Sequence, residues 1–586
     1  MKSKIISEFL KKYWYNYVIG AAFLILSSYI QTLSPKYIGT IFDLLKEPVI
    51  DSRLILHYII LLVLVALGLF VTRFIWRYFI MGNARNMECF LRQRLLEHLQ
   101  RLDVTFYNNR KTGDLMAYAV NDIGAVRQSF GPGVALVLNG LGLGLLSVFS
   151  MANSVHPRLT ALALLPIPFI IAIIVWLGRI IQKRFRAVQK NFASISDRIN
   201  ENISGIRVIK TYVQEDREVD RFDLLNSKMM KSNLDLVRVS SLLSPLIQTL
   251  FGISFMVNLI YGSTLVIDGA ISLGSFVEFN GYLGMIMRPV ISIGRIINVF
   301  QRGLASYKRL NEIFMERPAI ADTVDKSPVE KIQGSLEIKG LSFRYPGYDE
   351  YALKDINVSL PEGKVLGIIG PTGSGKTTLV NLLLRLYKVD DGKILIDGHD
   401  INEYRLEDLR EAIGYVPQDN FLFSATISDN IRFFDDRFTE DDIENASRIS
   451  MIYDSIMDFP DKFETVIGER GVNLSGGQKQ RISIARALIK NPAITILDDA
   501  LSAVDTQTEE DILKNLKQDM RGRTCIIIAH RISALKHADE IIVLDHGRII
   551  ERGTHKSLLE QKGYYYELYR DQYQKEQRER MENEAS

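Results

Sequence analysis

Apolar positions are distributed unevenly along this chain. From about Tyr17 to Phe300 they form long runs; from about Gly334 onward they fall into short strand-like and helix-like clusters separated by turns. A bilayer core of roughly 30 Å takes about 20 mostly apolar residues to cross as a helix. Six segments meet that length: Val18–Tyr37, Leu54–Trp76, Gly131–Met151, Leu159–Ile181, Leu242–Ile267 and Leu273–Val299. Residues 1–300 offer no polar shell that would make these the buried helices of a soluble protein. The pattern predicts a multidomain chain, an all-α six-helix transmembrane domain over 1–314 followed by an α/β domain over 335–575. A polar, proline-containing linker is expected at 315–334 and a charged C-terminal tail at 576–586.

Lysine and arginine placement sets the expected orientation. The link after the second span carries Arg85, Arg92, Arg94, Arg101, Arg110 and Lys111; the link after the fourth carries Lys183, Arg184, Arg186, Lys190, Arg198, Arg207 and Lys210. Both are expected in the cytosol, together with both termini, since the span number is even. Helical periodicity continues into these links, as in Phe90, Leu91, Leu95, Leu96 and Leu99. It breaks near Lys111–Gly113 and near Tyr212–Asp216, where short cross-helices with a docking role are expected.

Composition narrows the classes. The 586 residues exceed a single domain, and 71 Lys plus Arg against 68 Asp plus Glu leave a net charge of +3, too even for nucleic-acid binding through a basic field. Cys89 and Cys525 lie in different halves and form no disulfide framework. The opening segment has a basic start, but its apolar run is too long for a signal-peptide core, so the first helix is expected to be retained. Arg73 and Arg77 sit at a span end where long side chains reach the interface. Arg288, followed by Pro289, lies deeper, and both a cavity-lining and a pairing role stay open. No series of Asp or Glu runs through the helices, which argues against a proton-relay pump; energy must enter elsewhere.

It enters in the second half. An apolar strand, Val365–Gly370, runs into Gly370-Pro371-Thr372-Gly373-Ser374-Gly375-Lys376-Thr377-Thr378 and then a helical stretch, the P-loop in its strand–loop–helix setting. Backbone N–H groups of such a loop close around phosphates, Lys376 reaches the β- and γ-phosphates, and the Thr377 hydroxyl ligates Mg²⁺. A second buried strand, Ile494–Leu497, ends in Asp498, a carboxylate placed to hold Mg²⁺. Leu474-Ser475-Gly476-Gly477-Gln478 precedes a basic helix near Lys479, Gln480 and Arg481, a second phosphate-binding element. The expected small-molecule ligands are ATP and Mg²⁺.

With these motifs in place the chain resembles an exporter-type ABC half-transporter over its whole length, with an α/β P-loop ABC nucleotide-binding domain. The resemblance implies an A-loop aromatic at Tyr345, stacking on adenine, and a Q-loop glutamine at Gln418, contacting Mg²⁺ and the attacking water. It further implies a D-loop at Ser502–Asp505, a switch histidine at His530, and an exporter segment at Thr465–Gly471 ahead of the signature Ser475–Gln478. One residue departs from the family pattern: Asp499 stands where the catalytic glutamate is usual. Aspartate is one methylene shorter, and a displacement of about 1 Å can cost on the order of 100-fold in rate. Asp499 thus predicts a site that binds ATP and hydrolyses it slowly. Because such domains close head to tail around two ATPs, the chain resembles the degenerate-site subunit of heterodimeric bacterial multidrug exporters. The implied partners are a second, non-identical half-transporter, an amphipathic small-molecule substrate and the lipid bilayer, with no nucleic acid. The competing readings are a homodimeric lipid or peptide exporter and an ATP-binding membrane sensor; a soluble DNA-repair ATPase is excluded by the six spans. Aromatics at Phe251, Phe255, Phe276, Phe279 and Tyr282 are expected to pack or to line a cavity.

Overall fold

A computed structural model describes residues 5–321, 332–468, 471, 473–504, 506–519 and 522–585. The D-loop aspartate Asp505, part of the segment ahead of the signature and the middle of the expected linker lie outside the described residues. The chain forms two compact units: Met1–Gln100 with Lys111–Glu316, and Arg101–Arg110 with Arg317–Ser586.

Among the described residues, the first unit contains six helices long and apolar enough to cross a membrane: Ile5–Lys46, Ser52–Gln100, Thr112–Val155, Pro157–Ser204, Glu215–Ile267 and Leu273–Met315. Each contains one predicted span and runs well beyond it. The second has 49 residues, about 74 Å at ~1.5 Å per residue, more than twice the bilayer core. The long links are therefore mostly helix. Short helices at Val104–Asn108 and Ile206–Thr211 interrupt them just ahead of the sequence positions where the periodicity breaks. The Asp103 carboxylate starts the first of these by accepting the Phe106 N–H at 3.2 Å.

Small residues let the spans approach closely, the packing that operates where lipid is as apolar as leucine. A Cβ on Gly39 would meet the Gly274 carbonyl at 2.6 Å, and one on Gly281 would meet Pro35 at 2.8 Å, so the first and sixth helices touch backbone to backbone. Asp43 then caps the sixth helix, accepting from the Gly274 N–H and the Ser272 hydroxyl at 2.6 Å each. Phe251, Phe279 and Tyr282 are buried in the apolar core of this unit and Phe276 packs against it, so these four serve packing; Phe255 is exposed. Glu278, not singled out from sequence, is buried beside Tyr282, with 3.0 Å between Tyr282 Oη and its Oε1.

The second unit carries a six-stranded sheet in the order β10-β9-β3-β8-β7-β6, comprising β3 (Val365–Ile369), β6 (Ile413–Val416), β7 (Ile494–Asp498), β8 (Thr524–Ile528), β9 (Glu540–Asp545) and β10 (Arg548–Gly553). All pairings in it are parallel except β9 with β10. β3, β7 and β8 are apolar over nearly their whole length because both faces are covered, as a parallel sheet requires. A four-stranded antiparallel sheet, formed in the order β2 (Leu353–Leu360), β1 (Leu336–Phe343), β4 (Ile394–Ile396) and β5 (His399–Asp400), packs into the same core. A separate helical layer around Ile427, Ile431, Ile443, Ile452 and Ile456 holds the helix Gly476–Leu488. The C-terminal helix Tyr564–Ala585 continues through the segment expected as a tail.

Candidate functional site

In an open parallel sheet, ligands bind beyond the carboxyl ends of the strands. The order β3-β8-β7-β6 brings four of the sequence-predicted elements side by side at that edge: the P-loop after β3, His530 after β8, Asp498 and Asp499 closing β7, and Gln418 after β6.

The P-loop's shape depends on its glycines. Gly373 and Gly375 have φ of 82° and 104°, which L-residues with a side chain rarely adopt, and a Cβ on Gly370 would meet the Leu544 carbonyl at 2.0 Å. The helix begins at Lys376 and runs to Leu383. Lys376 is buried, and its ammonium donates to the Gly370 and Pro371 carbonyls at 2.8 Å each. Burial pulls its pKa below the usual lysine range, against the opposing pull of Asp498 and Asp499. The Ser374 hydroxyl is buried without a hydrogen-bond partner, and the Ser374 N–H donates to the Pro371 carbonyl at 3.2 Å, closing the turn around Thr372.

Asp498 is buried, with Oδ2 lacking any hydrogen-bond partner, and the Thr377 and Tyr415 hydroxyls lie close enough to interact with its carboxyl group. Burial, and then the neighbouring Asp499, raise its pKa, while Thr377 and Lys376 oppose them. A buried carboxylate oxygen left unpaired beside a hydroxyl is a fitting pair of hard oxygen ligands for Mg²⁺. Bound there, Mg²⁺ would neutralise charge on the terminal phosphates.

Asp499 occupies a left-handed backbone conformation, φ 50°, a region in which Asp is several-fold enriched over most residues. Its backbone is held from both sides. The N–H donates to the Ile528 carbonyl at 2.9 Å, and its carbonyl accepts from the Ser502 hydroxyl at 3.0 Å and from Gln480 Nε2 at 3.4 Å. With the Ser502 N–H also donating to that carbonyl at 3.4 Å, hydrogen bonds hold the Asp499 backbone in this conformation.

The signature residues sit elsewhere in the same unit. Ser475 is the N-cap of the helix, which starts at Gly476, three residues earlier than the sequence reading placed it. Ser475 and Gln478 form a capping box: the Gln478 N–H donates to Ser475 Oγ at 3.2 Å and the Ser475 N–H to Gln478 Oε1 at 2.9 Å. Gly477 lies so close to Ala503 that a Cβ would meet its carbonyl at 3.0 Å. No described hydrogen bond joins Ser475, Gly476, Gly477 or Gln478 to the P-loop.

Tyr345 is half-buried, with its hydroxyl 2.9 Å from Thr378 Oγ1 and its ring edge-on to Tyr387 and Phe343 at 5.0 and 5.2 Å. Gln418 and His530 are both exposed at the sheet edge. Three positioning contacts escaped the sequence reading. Gln480, buried in the signature helix, accepts the Ala503 N–H at 3.0 Å and donates to Ser502 Oγ at 3.1 Å. Gln572, on the C-terminal helix, brackets the His530 turn by donating to the His530 carbonyl at 2.7 Å and accepting the Ile532 N–H at 2.9 Å. Asn108, closing the first cross-helix, donates to the Tyr387 hydroxyl at 2.9 Å. A polar residue at helical spacing behind a motif was the available signal for Gln480; nothing local marked the other two.

Comparison with known proteins agrees with this architecture. Residues 17–290 match the ABC transporter transmembrane region and residues 353–502 match the ABC transporter domain. The chain is 38% identical over 570 residues, 97% of each chain, to the probable multidrug resistance ABC transporter ATP-binding/permease protein YheI of Bacillus subtilis. It is 37% identical to the multidrug resistance-like ATP-binding protein MdlA of Escherichia coli, over 97% of this chain and 96% of that protein. A solved bacterial Atm1-family ABC exporter with ATP bound superposes with a TM-score of 0.78 at 25% identity, covering 95% of this chain and 98% of that one. The chain belongs to the ABC transporter family: it is an exporter-type half-transporter, a multi-pass membrane protein with one ATP-binding domain that couples ATP use to export.

Proposed function

We propose that this chain is one half of a heterodimeric exporter that moves drugs or other amphipathic small molecules out across the bacterial cytoplasmic membrane, with its own Walker site the slow one. Both termini and residues 335–575 lie in the cytosol on this reading. Tyr345 stacks on the adenine, residues 370–378 wrap the phosphates, and Lys376 leaves the loop carbonyls for the β/γ-phosphate oxygens. Thr377, Asp498 and Gln418 would hold Mg²⁺, which supplies positive charge against the terminal phosphates. Water attacks the γ-phosphorus, the bond to the β,γ-bridging oxygen breaks, and the water's proton passes to the carboxylate at position 499, with His530 against the γ-phosphate. Ser475–Gln478 serve the nucleotide held by the partner's P-loop, where a glutamate supplies the faster base.

The observation that carries the reading is Asp499, short in side chain and fixed in backbone. The relatives described as multidrug resistance proteins support the substrate class. The test is to tag the chain in its native membrane, identify what co-purifies, and compare ATPase rates. A second half-transporter at equal amount, bearing a glutamate after its Walker B aspartate and raising the rate at least ~10-fold over this chain alone, is the expected result. A dimer of this chain alone with the same ATPase rate as any pair overturns the heterodimer and leaves the homodimeric exporter.

A further inference from the structure

The sixth membrane helix, Leu273–Met315, carries Arg288, Arg295, Arg302 and Arg309. Residues seven apart drift only about 20° around an α-helix, so the four form one stripe. Arg309 is spoken for: its guanidinium pairs with Asp122 and with Ser306. The other three are exposed, and among the described residues none of them makes a hydrogen bond or an ion pair. Counted from Leu273 at ~1.5 Å per residue, Arg288 lies about 22 Å along the helix, inside a hydrocarbon core of ~30 Å, and Arg295 about 33 Å along, at its border.

An arginine held in that depth faces protein, water or an anion. Glu278, in the sixth span, is engaged by Tyr282, and three carboxylates near the span ends are engaged too: Glu88 by Arg85, Arg92 and Arg127, Asp122 by Arg309, and Asp43 by Ser272 and Gly274. Arg73 reaches Gln31 and Arg77 lies over Trp76, which satisfies the two arginines of the second helix. On the sixth helix the stripe alternates with small, apolar or amide positions, Gly284, Ile291 and Asn298, which are exposed as well. Three free guanidinium groups on one face, interleaved with apolar positions and leading from the helix's inner stretch into the hydrocarbon depth, match a ligand with an acidic head and an apolar body.

We propose that Arg288, Arg295 and Arg302 form the recognition face for cargo, and that the preferred cargo is an amphipathic anion bearing a carboxylate or phosphate. This deepens the export reading and rests on it. The fork of each guanidinium takes a carboxylate or phosphate in two parallel hydrogen bonds, and the roughly 10 Å step between successive arginines hands the acidic group along the helix while the apolar body stays out of water.

The test uses the purified complex in proteoliposomes of neutral lipid, with three dansyl probes sharing one undecyl body: the carboxylic acid, its methyl ester and a trimethylammonium analogue. The expected result is ATP-dependent movement of the acid at least ~5-fold faster than of the ester. In Arg288→Gln/Arg295→Gln the acid-to-ester ratio falls to near one, and in Arg288→Lys/Arg295→Lys, which keeps the charge, a preference for the acid remains. Equal rates for acid and ester in the unmodified protein overturn the proposal. So does an acid preference that survives the glutamine pair, because the arginines then serve bilayer phosphates and not cargo. Movement of the ester or the cation without the acid sinks this proposal and leaves the export reading intact, whereas a protein that moves none of the three sinks both.

Discussion

The two short cross-helices contrast sharply. Each interrupts a pair of long helices, and each is only five or six residues long. Val104–Asn108 is partnered within this chain: Val104 packs against the nucleotide unit's core, Asn108 meets Tyr387, and the Ala319 N–H donates to Asp103 at 2.9 Å. Neither helix has a fully buried residue, but Ile206–Thr211 is the more open, with Val208 60% exposed and Tyr212 and Val213 beside it 70% and 79% exposed. An exposed valine with a left-handed φ of 51°, as at Val213, is strained as well as unsatisfied. One arm is finished by its own chain and the other leaves apolar residues exposed, the side that the proposed assembly assigns to a partner.

The largest effect is expected where the contrast is greatest. Val208→Glu with Tyr212→Glu should lower drug-stimulated ATPase of the complex by ~10-fold or more, since a charge buried at an interface without a partner is expensive. The thermal midpoint of the isolated chain should barely move, because exposed substitutions usually stay within about 0.5 kcal/mol. Val104→Asp inverts the pattern, lowering the isolated chain's stability by about 1–3 kcal/mol as a polar group enters the apolar core. Equal destabilisation by both changes in the isolated chain would erase the distinction between the arms.

On the proposed function a second chain also supplies a longer base, and Asp499→Glu tests that by supplying one here. ATPase of this chain by itself should rise ~10-fold or more, up to the ~100-fold that 1 Å of misplacement can cost. The gain is reduced by the strain of a longer side chain at φ 50°, on the order of 1 kcal/mol. An unchanged rate would mean that the carboxylate's reach is not what limits turnover.

How far the sequence carried the reading depends on the range of the cause. The six spans and the P-loop, Walker B and signature motifs are local in origin, arising from runs of apolar residues and from glycines that fix a turn, and their elements appear where periodicity placed them. Helix starts slipped by a few residues because Ser475 caps through its own side chain and Gly476 and Gly477 are already helical. The Gln572–His530 and Asn108–Tyr387 bonds were not legible, since each joins residues far apart along the chain. The arginine heptad was present in the sequence, but only the structure shows that Arg309 finds a partner and that, among the described residues, the other three do not. Asp499 was legible as a departure from pattern; that its backbone is pinned was not.

A smaller effect probes Gln480, which joins the signature helix to the residues flanking Asp499. Gln480→Ala leaves the Ala503 N–H without its partner and should cost about 1–3 kcal/mol of stability. In the Asp499→Glu chain it should also reduce the recovered ATPase, and a loss of stability with the recovered rate intact would confine Gln480 to packing.

The finest distinction lies in the finished arm. Tyr387 is buried, receives the Asn108 amide at 2.9 Å and sets its ring edge-on to Tyr345 at 5.0 Å. Tyr387→Phe removes only the hydroxyl, so the ring contact with Tyr345 persists and ATP affinity should hold. What is lost is one hydrogen bond to the cross-helix, worth about 0.5–1.5 kcal/mol, or ~2- to 10-fold in whatever equilibrium it biases. If that bond carries nucleotide occupancy to the membrane helices, drug stimulation of ATPase falls by that factor, Asn108→Ala falls equally, and the double variant falls no further. Weakened ATP binding in Tyr387→Phe, with drug stimulation unchanged, would instead make Tyr387 a support for Tyr345 alone. The finished arm would then be anchored on the nucleotide unit without reporting on its nucleotide.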